Sequence, residues 1–404
     1  MTPRKLIWVG VLPPHQGGAA VSGFQMLVGL ARGGHSIRSL APITTDTAVG
    51  GARFDAEHPE LRVTRFPVLY DETNPGVPSS EAYRASEQQH IEEGLRALIA
   101  GERPDVVLVG RETSAWRAPA VARQAGVPCI LRIAGSFLGG ALSGAYPDAL
   151  LSQWIEQARL VDAIIAQTST LEAALTRWGL GRITLIPNAV DLRVFRPTPP
   201  DERLRRELRI DDGCVVVMHA SHFKPQKRAM SVVESAAEAL RSDARLLYVI
   251  AGDGPDRPAM EELCRRRAIA EHVRFVGWVP YEHMVSYLAL ADLVVMPSAF
   301  EAQARVYLET QACGRTLVAS DIPAARHVLE DGVTGLLFRS GDVDDLTAVT
   351  LRAAADSALR ARIGASARER VAATHSLEHV AARYSAVIDA VLARRRGGGT
   401  GTTG

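Results

Sequence analysis

Short, wholly apolar runs alternate along this chain with longer amphipathic stretches, and the alternation restarts half-way. Leu6–Val11, Ser36–Ala41, Arg62–Phe66, Val106–Val109, Cys129–Ile133, Ala163–Gln167 and Thr184–Pro187 read as strands. Helical periodicity falls between them, at Val21–Arg32, Ser80–Ala100, Ala115–Gln124, Leu150–Leu160 and Ser169–Trp178. Runs such as Val106–Val109 have no polar face, so both sides of each strand must be covered, as in a parallel sheet wrapped by helices. After Pro187–Pro200 the pattern begins again, with strands at Val215–His219, Leu246–Ala251, Arg274–Val276, Leu293–Met296, Thr316–Ala319 and Gly335–Phe338. The chain's 404 residues exceed one core, since domains average roughly 150 residues. The expected class is therefore α/β: two Rossmann-like, doubly wound domains facing a central cleft. The Pro-rich stretch Arg196–Pro200 marks the boundary, giving 1–195 and 196–376, and a last helix over 377–396 has the pattern to complete either domain. The Gly/Thr tail, 397–404, is expected to be disordered.

Composition excludes several classes of function. Lys plus Arg number 46 against 45 acidic residues, so no net field recruits nucleic acid or an acidic membrane. No apolar run approaches the ~18–20 residues that span a bilayer; no basic amphipathic helix stands out, but peripheral membrane contact stays open. The opening residues move straight into a strand without a signal-peptide layout. Cys129, Cys214, Cys264 and Cys313 lie far apart, without metal-ligand or disulfide spacing. The expected compartment is the reducing cytoplasm.

Ligands of such sheets bind beyond the carboxyl ends of the strands, which directs attention to the loops there. The first, Pro13–Ala20, carries Gly17 and Gly18 ahead of a helix, where a backbone approaches an anion closely. The pair also suits a plain tight turn, and it is not the GxGxxG fingerprint of a dinucleotide site. The second, His219–Arg228, holds two of the chain's three lysines, Lys224 and Lys227. Lysine is a compact point charge suited to phosphate, and its use in a chain that otherwise relies on arginine points to a chemical requirement. A solvated basic turn is the alternative. His219 and His222 have no third partner that would make a metal site. The third, Pro297–Glu309, sets Glu301 in a loop and Glu309 on a helix expected over Ala304–Cys313. Carboxylates accept from vicinal sugar hydroxyls. Arg305 is ill placed at an empty helix N-terminus and would be relieved by a bound diphosphate. A surface helix with solvated charges has the same sequence. Gly252–Pro255 and Phe275–Pro280 are further strand-end turns, either of which suits the border of a nucleotide base.

Taken in order, these segments resemble the retaining glycosyltransferases of family 4, which have the GT-B fold. The resemblance covers nearly the whole chain: the Gly17-Gly18 loop, Gly34-His35, Ile186–Asp191, Lys227, Gly252–Pro255, Val276-Gly277, Pro297-Ser298, the E-x7-E pair Glu301/Glu309, Ala312–Gly314 and Gly332–Phe338. It implies that Glu301 contacts donor-sugar hydroxyls and Glu309 the ribose. Lys227 would hold the diphosphate, helped by amides of Ala304, Arg305 and Val306 and by Gly18. Val276 and its neighbours would flank the base, and the last helix would return to the N-terminal domain.

Departures from the family pattern bear on specificity. His222 stands where members usually carry arginine, and the loop Ser221–Arg228, with Lys224, is similar to that of malate-accepting N-acetylglucosaminyltransferases. Ala302-Gln303-Ala304 replaces Gly-Phe-Gly, so Gln303 and Arg305 reshape the sugar pocket. The usual histidine of the N-terminal domain is absent from Arg132-Ile133-Ala134-Gly135-Ser136. Arg132, Gly135 and Ser136 are candidate acceptor contacts, with Arg132 either an anion ligand or a structural cation.

The expected reaction moves a sugar from a nucleoside-diphosphate sugar, UDP favoured, to a hydroxyl of a small-molecule acceptor with retention. Lys227 and Glu301 are the catalytic candidates, and neither metal nor other cofactor is expected. A nucleotide-sugar epimerase of the same fold and a non-catalytic nucleotide-sugar-binding partner are the alternatives.

Overall fold

A computed structural model of the chain describes residues 2–15, 18–44, 47–68, 81–110, 112–133, 135, 137–138, 141, 147–301 and 303–397. Gly17, Ser136, Ala134, Ala302 and the tail after 397 lie outside the described residues, as does the loop at 69–80. The chain forms two compact units.

The first unit contains the residues up to Ala189 and the last helix. Its seven strands are β1 (Lys5–Val9), β2 (Ser36–Ile43), β3 (Val63–Pro67), β4 (Val106–Val109), β5 (Cys129–Arg132), β6 (Ala163–Ala166) and β7 (Ile183–Leu185). They form one parallel sheet in the order β3-β2-β1-β4-β5-β6-β7. β1, β4, β5 and β6 are buried along their apolar runs, which is why those runs lack polar alternation. The last helix, Leu377–Gly397, lies against the helix Gly18–Arg32. Gly29 allows that approach, because a Cβ there would sit 3.0 Å from the Leu377 carbonyl oxygen. His35 Nε2 meets Ser385 Oγ at 2.9 Å, and Arg4 pairs with Asp389 at 2.9 Å. His35 thus serves this helix contact.

The second unit, Val190–Ser376, repeats the plan with β8 (Val215–Ala220), β9 (Leu246–Ala251), β10 (Val273–Gly277), β11 (Leu293–Met296), β12 (Thr316–Ser320) and β13 (Leu336–Phe338). The order is β10-β9-β8-β11-β12-β13, again parallel. Its boundary falls before Val190, a few residues ahead of the Pro-rich stretch. Val190 N donates to His375 O at 2.8 Å, and Phe195 is fully buried in this unit's core. Among the described residues no helix is long and apolar enough to cross a membrane.

Candidate functional site

In the second sheet, β9 and β10 extend to one side of β8 while β12 and β13 extend beyond β11. The chain order reverses between β8 and β11, the switch point at which loops diverge and leave a crevice. The two loops with the least ordinary chemistry leave from these two strands. Ser221–Arg228 follows β8, and the Pro297–Glu301 segment follows β11. Ala299 N donates to Gln226 O at 2.8 Å and ties them together.

Across that tie Lys227 Nζ donates to both oxygens of Glu301, at 2.7 Å to Oε1 and 2.6 Å to Oε2. Ser298 Oγ donates to the same Oε1 at 2.7 Å. Glu301 is only 6% exposed and Lys227 23%, so the pair is partly withdrawn from water and its geometry is enforced. Ser298 is fully buried and was not singled out for a role from sequence. Its position three residues before Glu301 is the signal that could have found it.

The third side is built by glycines. Gly252 has φ +128°, and a Cβ on it would lie 1.8 Å from the Ser221 carbonyl oxygen. Gly254 has φ +155°, with Phe223 O 2.5 Å from its would-be Cβ. Only glycine lets the turn after β9 lie directly under the lysine loop. Phe223 N donates to Asp253 O at 2.9 Å, and Gly252 N to Gly277 O at 2.7 Å, joining the turn that follows Val276. Trp278, just beyond it, is exposed.

His219 is a fully buried residue near the end of β8. Its Nδ1–H donates to Val295 O at 2.9 Å, so Nε2 accepts from Ser221 Oγ at 2.7 Å. Burial pushes its pKa down to about 4, which keeps the ring neutral. Both nitrogens are committed, and among the described residues no group of three or more His, Cys, Asp and Glu side chains could hold a metal. His222 is exposed, and its pKa is lowered by partial burial and then by Lys224. Lys224 is half-buried in the same loop.

The helix after β11 runs Arg305–Ala312, with Ala304 as an N-cap whose side chain makes no cap. The first amides there, including those of Arg305 and Val306, are therefore free of side-chain competition, which suits an anion. Arg305 was expected to turn toward a diphosphate. Instead its Nη2 donates to Glu309 Oε1 at 2.6 Å, and its guanidinium lies 5.3 Å from the Tyr281 ring centroid. An i,i+4 carboxylate relieves the dipole conflict without a ligand. Gln303 is half-buried beside Ala304.

The remaining candidates belong to the first unit. Gly18 is the exposed first residue of its helix. Arg132 is 3% exposed, donating to Gly110 O at 3.2 Å, Ser22 Oγ at 2.6 Å and Asn188 Oδ1 at 3.1 Å. These bonds suit the structural-cation alternative for Arg132. Gly135 is buried, with N–H donated to Glu112 Oε1.

Residues 17–189 match the family described as Glycosyl transferase 4-like domain, and residues 200–370 match Glycosyl transferases group 1. The chain belongs to glycosyltransferase family 4. This family 4 member is 33% identical over 174 residues to the alpha-D-kanosaminyltransferase of Streptomyces kanamyceticus, covering 43% of this chain and 45% of that protein. It is 31% identical over 216 residues to a GDP-mannose-dependent phosphatidylinositol monomannoside mannosyltransferase of Corynebacterium glutamicum, covering 50% and 55%. The match thus spans about half the length of these curated relatives. Among solved structures, Anabaena HepE in complex with UDP and glucose aligns over 96% of this chain and all of that one, with a TM-score of 0.76 and 17% identity. The shared fold is GT-B.

Proposed function

We propose that the protein transfers a sugar from a nucleoside-diphosphate sugar to a hydroxyl of a small-molecule acceptor, with retention at the anomeric carbon. The observation that carries this reading is the Lys227–Glu301 pair at the switch point of the second sheet. In the loaded site Lys227 exchanges Glu301 for a diphosphate oxygen, and Glu301 turns its freed oxygens to the hydroxyls of the sugar. Lys224 and the uncapped amides of Arg305 and Val306 add positive charge where the leaving diphosphate gains negative charge. This is electrostatic stabilisation by groups already in place.

The bond between the anomeric carbon and the diphosphate oxygen breaks while the acceptor oxygen bonds to the same face of that carbon. The acceptor proton passes to the departing phosphate oxygen, so no protein carboxylate acts as nucleophile. Basic side chains and amides supply the charge that a metal supplies elsewhere, and the reaction is proposed to run without one. Glu309 receives the ribose, and the turns at Gly252 and Val276 border the base.

UDP is the favoured nucleotide, because HepE, which shares this fold, binds UDP with glucose. GDP is the second reading, carried by the mannosyltransferase relative that depends on GDP-mannose. Thermal shifts with UDP-, GDP-, ADP- and dTDP-sugars, with and without EDTA, test both. A ligand at 100 times its Kd should stabilise by roughly 2.7 kcal/mol. One nucleotide standing out despite chelator supports the proposal. No shift from any of them, and no transfer to any acceptor, would leave a fold without this activity. Product anomeric configuration by NMR tests retention.

A further inference from the structure

The first unit holds a cavity that the proposed reaction leaves unused. It measures about 710 Å³, within the ~300–1,000 Å³ range of small-molecule sites. Its walls are the helices Glu81–Glu102 and Asp148–Ala158, with Trp116 between them. Amides mark both walls: Gln88 and Gln89 come from the first helix, Gln153 and Gln157 from the second, where their i,i+4 spacing puts them on one face. Trp116 is half-buried, its ring set edge-on against buried Phe137 with centroids 5.3 Å apart. Three atoms of these residues, Gln88 Oε1, Gln157 Oε1 and Trp116 Nε1, are buried and have no hydrogen-bond partner among the described residues. Gln88 Nε2 reaches Thr113 O only at 3.4 Å, so that amide is lightly held. The terminal torsion of a glutamine is broad, and a small turn brings its oxygen to the cavity.

Orphaned buried groups are costly and are normally met by protein, water or a ligand. Here they are two acceptors and one donor, beside an apolar indole. Hydroxyl groups, which both give and receive hydrogen bonds, match that set. The charges on the same walls argue against an anion. Glu92, Glu93 and Glu156 face only Arg96 and Arg117. Arg96 is already committed, its Nη2 donating to Glu92 Oε1 at 3.0 Å and to Gln124 Oε1 at 2.6 Å. We propose that this cavity binds an uncharged polyhydroxylated ring, a hexose or a cyclitol, through the amides of Gln88 and Gln157 and the indole N–H of Trp116. All of its lining belongs to the first unit, whereas Lys227 and Glu301 belong to the second, so the proposal stands or falls separately from the reading of the donor site.

The test is an NMR titration of the full chain, observing the indole N–H signals of its five tryptophans. Glucose, myo-inositol and glucose 6-phosphate are the probes, and Trp116→Phe identifies the signal of Trp116 by its loss. Glucose or inositol should move that signal with a Kd of about 1 mM, the strength of a few neutral hydrogen bonds. Glucose 6-phosphate should bind more weakly than glucose. Gln88→Leu and Gln157→Leu should each weaken binding by about three- to tenfold. Gln153→Ala, at an exposed position that folding does not depend on, should weaken it by about threefold if the deeper variants fail to fold. Glu301→Ala should leave the titration unchanged. No movement of the Trp116 signal at about ten times that concentration, as for a cavity filled by water alone, overturns the proposal. So does equal or tighter binding of glucose 6-phosphate, or binding that Glu301→Ala abolishes while Gln153→Ala leaves it intact.

Discussion

Lys227 and Glu301 close on each other through both carboxylate oxygens, which commits two of the ammonium's three N–H donors to the pair. Lys227→Ala removes the charge meant for the leaving group, and transfer at saturating donor should fall by ~10²–10³. The fold should survive, because Glu301 keeps its hydrogen bond from Ser298. The measurement is kcat beside a melting curve. Near-normal turnover with an intact melt would remove Lys227 from the phosphate.

Ser298 tests whether Glu301 must be aimed. Its hydroxyl is buried and donates to Oε1, the oxygen that Lys227 also holds. Ser298→Ala should lower kcat/KM by about tenfold, the cost of one hydrogen bond to a charged group. Ser298→Thr, which retains the hydroxyl, should recover part of the loss. Equal kinetics for all three proteins would make the bond a bystander.

The turn after β9 gives a stability prediction independent of any ligand. Gly252→Ala puts a methyl 1.8 Å from the Ser221 carbonyl oxygen at a φ of +128°. Backbone must move on both sides, at a cost of about 3 kcal/mol or more. Denaturant unfolding should show a clear drop in midpoint, with donor binding weakened because the displaced loop carries Lys227. A midpoint within about 0.5 kcal/mol of the unaltered protein would mean the loop has slack that the structure does not display.

The parts of this architecture that sequence made legible are those written locally. Val106–Val109 and Leu293–Met296 are apolar throughout and became strands with those same bounds. The lysine and glutamate loops were found because they follow such strands. The helix Ala48–Glu57 was not foreseen, since its two glycines disfavour a helix. It is held by tertiary contact, with the Phe54 ring 5.1 Å from that of Phe24. Arg132 was undecidable because its partners, Ser22 and Asn188, stand far off in sequence. The Arg305–Glu309 contact is also written locally, as an i,i+4 pair of opposite charge on one helix.

His219 makes stability depend on acidity in a defined window. Its pKa is about 4 in the folded chain, through burial, against 6.5 for a free imidazole. The depressed value means that the unfolded chain binds the proton more readily. Above about pH 6.5 the ring is neutral in both states and costs nothing. As pH falls from there to about 4, only the unfolded chain gains the proton, so stability declines by up to ~1.4 kcal/mol per pH unit. The total is about 3 kcal/mol, and below about pH 4 this contribution levels off. His219→Gln preserves a donor for Val295 O and an acceptor for Ser221 Oγ but does not titrate. The difference in unfolding free energy between the two proteins should therefore be flat above pH 6.5 and slope between 6.5 and 4. Parallel curves across that window would show that His219 is not the buried neutral ring its contacts describe.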